Sequence, residues 1–98
     1  MIRHLIVFNI SEGVTREQCL AMAELGRQEL SRIPGVISIS FGEAIAENAR
    51  YRYTFTIDLR DEEALRAYQG HPLHVAFANN HFRPVAPDRI TTDYEVLY

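Results

Sequence analysis

Two periods of hydrophobicity alternate along the chain. Residues 2–10 are apolar and β-rich, with Ile2, Ile6, Phe8 and Ile10 on one face beside His4, while Leu5 and Val7 point the other way. Large apolar groups on both faces predict a central strand covered on both sides. After Ser11-Glu12-Gly13 the period changes. Thr15 and Gln18 form a capping-box pattern, and Cys19, Met22, Ala23, Gly26, Leu30 and Ile33 make one helical stripe opposite Glu17, Glu24, Gln28 and Arg32. Pro34-Gly35 ends that helix.

A second strand is predicted over residues 36–42, with Ile37, Ile39 and Phe41 on one face. A polar, alanine-rich loop follows, and residues 51–60 then alternate cleanly. Tyr51, Tyr53, Phe55, Ile57 and Leu59 face one way; Arg52, Thr54, Thr56, Asp58 and Arg60 face the other. Asp61 caps a short helix running to about Gln69. Gly70 suits the left-handed position past its end, and Pro72 suits the first position of a next helix capped by His71. That helix extends to about Asn79, a loop covers residues 81–88, and a last strand spans residues 89–97.

The order β-α-β-β-α-β, with the second helix broken in two, predicts an α+β, ferredoxin-like sheet with its helices on one face. At 98 residues the chain makes one domain, residues 1–98. Its other sheet face needs water or a partner, and the two-faced first strand favours a homodimer joined sheet to sheet.

Composition narrows the function. All ten basic residues are arginine, so no Schiff base, pyridoxal phosphate anchor or phosphate-loop lysine exists. A net charge of −3 gives no reason to expect nucleic acid or an anionic membrane. The lone Cys19 cannot close an intramolecular disulfide, and its place on the apolar stripe predicts a buried small hydrophobe. With no apolar run of membrane-spanning length and no signal-peptide pattern at the amino terminus, a reducing, cytoplasmic setting is expected. An RNA-recognition sheet shares this topology. Turning Tyr51, Tyr53 and Phe55 outward for base stacking would drive Arg52, Thr54, Thr56, Asp58 and Arg60 into the core, at several kcal/mol or so if unpaired.

Candidate chemistry gathers at Tyr68-Gln69-Gly70-His71-Pro72-Leu73-His74. His71 and His74, with His4 and His81, raise the question of a metal, but His71 reads as a cap rather than a helical ligand, and no metal site is expected. Acid–base work fits better. His74, in the first turn of a helix, lies near the positive dipole end and should be a neutral base. Tyr68 could donate to a developing oxyanion. Asp93 on the last strand would pair with His4 and fix its tautomer. The structural alternative stays open: His71 a cap only, His4–Asp93 a satisfied core pair, Tyr68 and His74 packing residues at the break.

Taken together, Ile2-Arg3-His4-Leu5-Ile6-Val7-Phe8, Ile33-Pro34-Gly35-Val36, Tyr68 with His71-Pro72-Leu73-His74, and Asp93-Tyr94 resemble the stress-responsive dimeric α/β-barrel family across essentially the whole chain. The resemblance implies dimers whose two sheets close a barrel. At the site the chain is similar to olivetolic acid cyclase, a member class performing aldol condensation of a polyketide thioester with a tyrosine and the second histidine of His-Pro-x-His. These fall on Tyr68 and His74; the strand histidine and aspartate fall on His4 and Asp93. Hydroxynitrile lyases of the same fold also use a histidine. The resemblance therefore implies a cofactor-independent cyclase or lyase acting on a carbonyl or enolisable small molecule, or else a non-catalytic stress-responsive or ligand-binding barrel. Ala23, Gly26 and Phe77 are the expected substrate-binding residues. Ala23 and Gly26 stand where the cyclase has aromatics, so the cyclase's own substrate is not implied.

Overall fold

A computed structural model describes residues 1–98. Four strands, β1 (Ile2–Asn9), β2 (Val36–Glu43), β3 (Tyr53–Leu59) and β4 (Asp88–Glu95), form an antiparallel sheet in the order β2-β3-β1-β4. Three helices, α1 (Arg16–Leu30), α2 (Glu62–Gly70) and α3 (Pro72–Phe77), complete a ferredoxin-like α+β fold. Their packing decides which sheet face is the core. Ile6, Phe8, Phe55, Ile57 and Leu59 are buried with Cys19, Met22, Leu30 and Tyr68, whereas Leu5 and Val7 on the far face of β1 are only half-buried. Beside them Ile90 and Tyr94 stand exposed.

Local chemistry explains most element ends. Thr15 accepts from the Gln18 amide while the Gln18 side chain accepts from the Thr15 amide, which closes the capping box of α1. Asp61 accepts from the Ala64 amide at the start of α2. Gly35 has φ +92°, a conformation that L side chains avoid, and a Cβ there would also meet that of Ala64 at 2.7 Å. The turn after α1 therefore needs glycine twice over.

Cys19 is fully buried in the α1 stripe, and burial pushes its thiol up to about 11, so it packs as a hydrophobe rather than reacting. On the open face Asp58 is buried but satisfied. Arg3 grips it through two bonds of 2.9 and 3.1 Å, and Ser38 adds a third. The Arg3 guanidinium holds this carboxyl below the usual carboxylate range. None of the helices is long and apolar enough to cross a membrane.

Three expectations are corrected. Ile37 does not share a face with Ile39 and Phe41. A register shift between Val36 and Ser38 makes it an unpaired bulge residue, 57% exposed, and Val36 takes its place opposite Leu59. Gly70 is not left-handed; it ends α2 as a helical residue. The break falls one position later, at His71 (φ −69°, ψ 136°), because a residue before proline is driven out of the helical region. Finally, the predicted loop beginning at His81 is shortened. A π-helical turn, Ala78–Phe82, continues from α3, closed by an Arg83 amide bond to the Ala78 carbonyl. Its extra residue per turn accompanies the burial of Phe82 against Phe8, with ring centroids 5.3 Å apart.

Candidate functional site

In an unbroken helix, residues 68 and 74 would lie about 9 Å apart along the axis and point about 120° apart. The break at His71 removes that separation. The Tyr68 and His74 rings meet at 4.5 Å between centroids, tilted by 41°. Two hydrogen bonds stitch the halves together. The His71 amide donates to the Tyr68 carbonyl, and His74 Nδ1 lies 3.0 Å from the carbonyl of Gln69. Carbonyls at the end of a helix lack intrahelical partners, so His74 satisfies one of those left by α2. A carbonyl can only accept, hence Nδ1 carries the proton and Nε2 keeps its lone pair. His71, the expected cap, accepts from the Leu73 amide through its own Nδ1.

The sheet brings in the other two groups. His4 and Asp93 are directly opposed in the β1–β4 register, and His4 Nδ1 lies 2.5 Å from Asp93 Oδ1. This charge-assisted bond fixes the orientation of a ring that is itself buried. His4 in turn meets the Tyr68 ring edge-on, centroids 5.8 Å apart. All four sequence-predicted residues are thus brought together.

Electrostatics differ sharply within this cluster. Burial, reinforced by the negative Asp93, pushes the Tyr68 phenol well above its ordinary value, so it stays protonated and able to donate. His74 is shifted down, chiefly by burial, with His4 and Arg83 adding to the effect against the Gln69 bond. The neutral imidazole expected for a base is therefore favoured, but by desolvation rather than by the helix dipole. The Tyr68 hydroxyl has no protein hydrogen-bond partner, yet no fully buried side-chain oxygen is left unsatisfied. It must reach open space.

That space has two parts. A cavity of about 30 Å³ is lined by His4, Tyr68, His74 and Phe77 among apolar neighbours, enough for one or two waters. Beside it lies a groove of about 360 Å³ that shares His4, Ile6, His74, Ala78 and Phe82 with the cavity and adds Gln69, Arg83, Arg89 and Thr91. Of the three expected substrate-binding residues, only Phe77 lines the cavity. A Cβ on Gly26 would meet Phe77 Cζ at 2.6 Å and Phe55 Cζ at 2.9 Å, so its small size serves the packing of α1. Ala23 faces a separate depression with Ile39 and Phe41. His81 stacks on Phe77 outside the groove, and no three His, Cys, Asp or Glu side chains are grouped as a metal would require. Arg83 fell in the loop expected over residues 81–88 and Arg89 heads the last strand, so nothing local joined the two. The one available signal was negative and concerned Arg83 alone, which has no acidic residue at helical spacing.

The model of the stress responsive A/B barrel domain matches residues 2–96. The chain belongs to that family. Its fold recurs in a family protein from Mesorhizobium loti, 27% identical, with a TM-score of 0.84 over 99% of this chain and 97% of the other. A dimeric ferredoxin-like protein of unknown function from Thermobifida fusca is 28% identical, with a TM-score of 0.82 over 97% and 90%. A hydroxynitrile lyase from Passiflora edulis shares the fold at 13% identity, with a TM-score of 0.80 over 97% and 92%. No curated protein matches the chain significantly.

The state of His74 is directly measurable. Its folded pKa lies below the ordinary 6.5, so the unfolded chain takes up the proton first as the pH falls. The corresponding stability is complete above about pH 6.5 and is lost on descending towards the folded midpoint. NMR titration should place the His74 ring below 6.5, and His74→Gln should flatten the stability profile in that window. A midpoint at or above 6.5 would contradict the desolvated, neutral base.

Proposed function

We propose that the cluster is a cofactor-independent acid–base site for a carbonyl or enolisable small molecule. The carrying observation is that His4, Tyr68 and His74 line one cavity, with the Tyr68 hydroxyl and His74 Nε2 both free of protein partners; Asp93 lies outside it and bonds His4 from behind. In the reaction, His74 Nε2 takes a proton from the carbon next to the carbonyl. The C–H pair becomes the new carbon–carbon double bond, and the carbonyl π pair moves onto oxygen. The Tyr68 hydroxyl donates to that oxygen, where a preorganised donor is worth most. His4, held by Asp93, packs against the edge of the Tyr68 ring and positions it. Such an enolate can add to a second carbonyl, as in an aldol cyclisation, and one protein of the same fold is a hydroxynitrile lyase. The cavity admits only the reacting carbonyl, and the bulk of the substrate lies in the groove.

A second reading has its own support. Tyr68 is 1% exposed and the cavity is water-sized. On that reading the rings hold the helix break, and the protein binds a ligand in the groove without turning it over. Deuterium uptake from D₂O into a panel of small ketones and acyl thioesters separates the two. The acid–base reading expects exchange above buffer, reduced at least about 10²-fold by His74→Gln or Tyr68→Phe. Variants as active as the parent, or a parent no better than buffer, would leave the binding reading.

We also propose that the chain works as a homodimer through its open sheet face, in a reducing compartment that suits its buried thiol. Leu5, Val7, Ile90 and Tyr94 offer that face an apolar surface, and several structural neighbours are described as dimeric. Sedimentation equilibrium should give twice the chain mass, and Val7→Glu should give the monomer. A monomeric parent would refute the association.

A further inference from the structure

The groove beside the site holds two arginines that no carboxylate neutralises. Seven of the ten arginines are ion-paired with aspartate or glutamate. Arg52 spends its guanidinium on the carbonyls of Ala44, Ala46 and Glu47. That leaves Arg83 and Arg89, and both line this one groove. In a chain with more acids than bases, leaving two guanidiniums unpaired at one opening calls for a reason.

Both side chains are held rather than loose. Arg83 Nη1 donates to Asn79 Oδ1 at 2.5 Å, and Arg89 Nη1 donates to the Ala86 carbonyl at 2.8 Å. Each contact uses part of one edge of a five-donor fork, leaving Nε and Nη2 without protein partners. The two arise from different elements, the end of the π-helical turn and the helix-side face of β4, so only the tertiary fold places them together. The groove lining otherwise brings the His4 and His74 imidazoles and no carboxylate. Planar forks fixed in this way match the oxygens of a carboxylate or phosphate, and a lysine would not provide the same geometry.

We propose that Arg83 and Arg89 form an oxyanion-binding subsite that selects substrates carrying a carboxylate or phosphate beyond the reacting carbonyl. An oxo acid would then bind with its anionic end on the arginines and its carbonyl towards Tyr68 and His74. This specificity deepens the acid–base reading of the same site and rests on it, although the binding itself can be tested separately.

The test follows binding by NMR at low salt with three probes: 2-oxobutanoate, its methyl ester and inorganic phosphate. Saturable binding of at least one anion, with the ester at least tenfold weaker, is expected. Arg83→Gln/Arg89→Gln should weaken that anion at least tenfold and leave the ester and the thermal stability unchanged, since both side chains are exposed. Which anion binds more tightly identifies the source of the oxygens. Equal binding of acid and ester, an undiminished anion in the double variant, or no binding of either anion would overturn the subsite. His74→Gln keeps the failures apart: if it still binds the anion while the parent shows no deuterium exchange, the subsite stands and the acid–base reading falls.

Discussion

A residue that precedes proline is driven out of the helical region, and at His71 that exclusion splits one helix into two. The meeting of Tyr68 and His74 follows from the split. It turns Tyr68 and His74 from well-separated directions on a rod into ring neighbours, and it leaves the Gln69 carbonyl free to fix the tautomer of His74. The His71 cap and its amide bond to Tyr68 keep the joint from fraying. Without a defined joint the sheet could still pair His4 with Asp93, but that pair would have no base or hydroxyl to work with.

The sheet supplies rigidity that the joint lacks. β1 is flanked by β3 and β4, so the strand that carries His4 is held on both sides, and the register sets Asp93 opposite His4. Burial then separates the groups in chemical character. The same low-polarity surroundings keep the tyrosine protonated and the histidine neutral, which makes one a donor and the other an acceptor near neutral pH. Two titratable groups pushed apart in this way are a common basis for dividing acid and base roles.

Much of this was legible in the residues, for identifiable reasons. The capping box at Thr15, the cap at His71 and the alternation from Tyr53 to Leu59 are local, and local chemistry decided them. The pairing of His4 with Asp93 was readable because the topology leaves few registers. Failures came where tertiary forces override local preference. The bulge at Ile37 and the π-helical turn before Arg83 answer to packing across the sheet and around Phe82. Gly70 was expected to be left-handed just past the helix end, because glycine commonly takes that position, whereas the pre-proline His71 carries the break and Gly70 stays helical. Gly26 read as space for a ligand, whereas two phenyl rings occupy that space.

The central claim is that the Tyr68 hydroxyl is there to act on something other than the protein. Chemical denaturation of Tyr68→Phe tests it most directly, since the substitution removes one oxygen and keeps the packed ring. A hydroxyl without a protein partner should be dispensable for folding, so stability should stay within about 0.5 kcal/mol of the parent or rise. A loss of about 1–3 kcal/mol would show the hydroxyl to be structural, and would contradict the account.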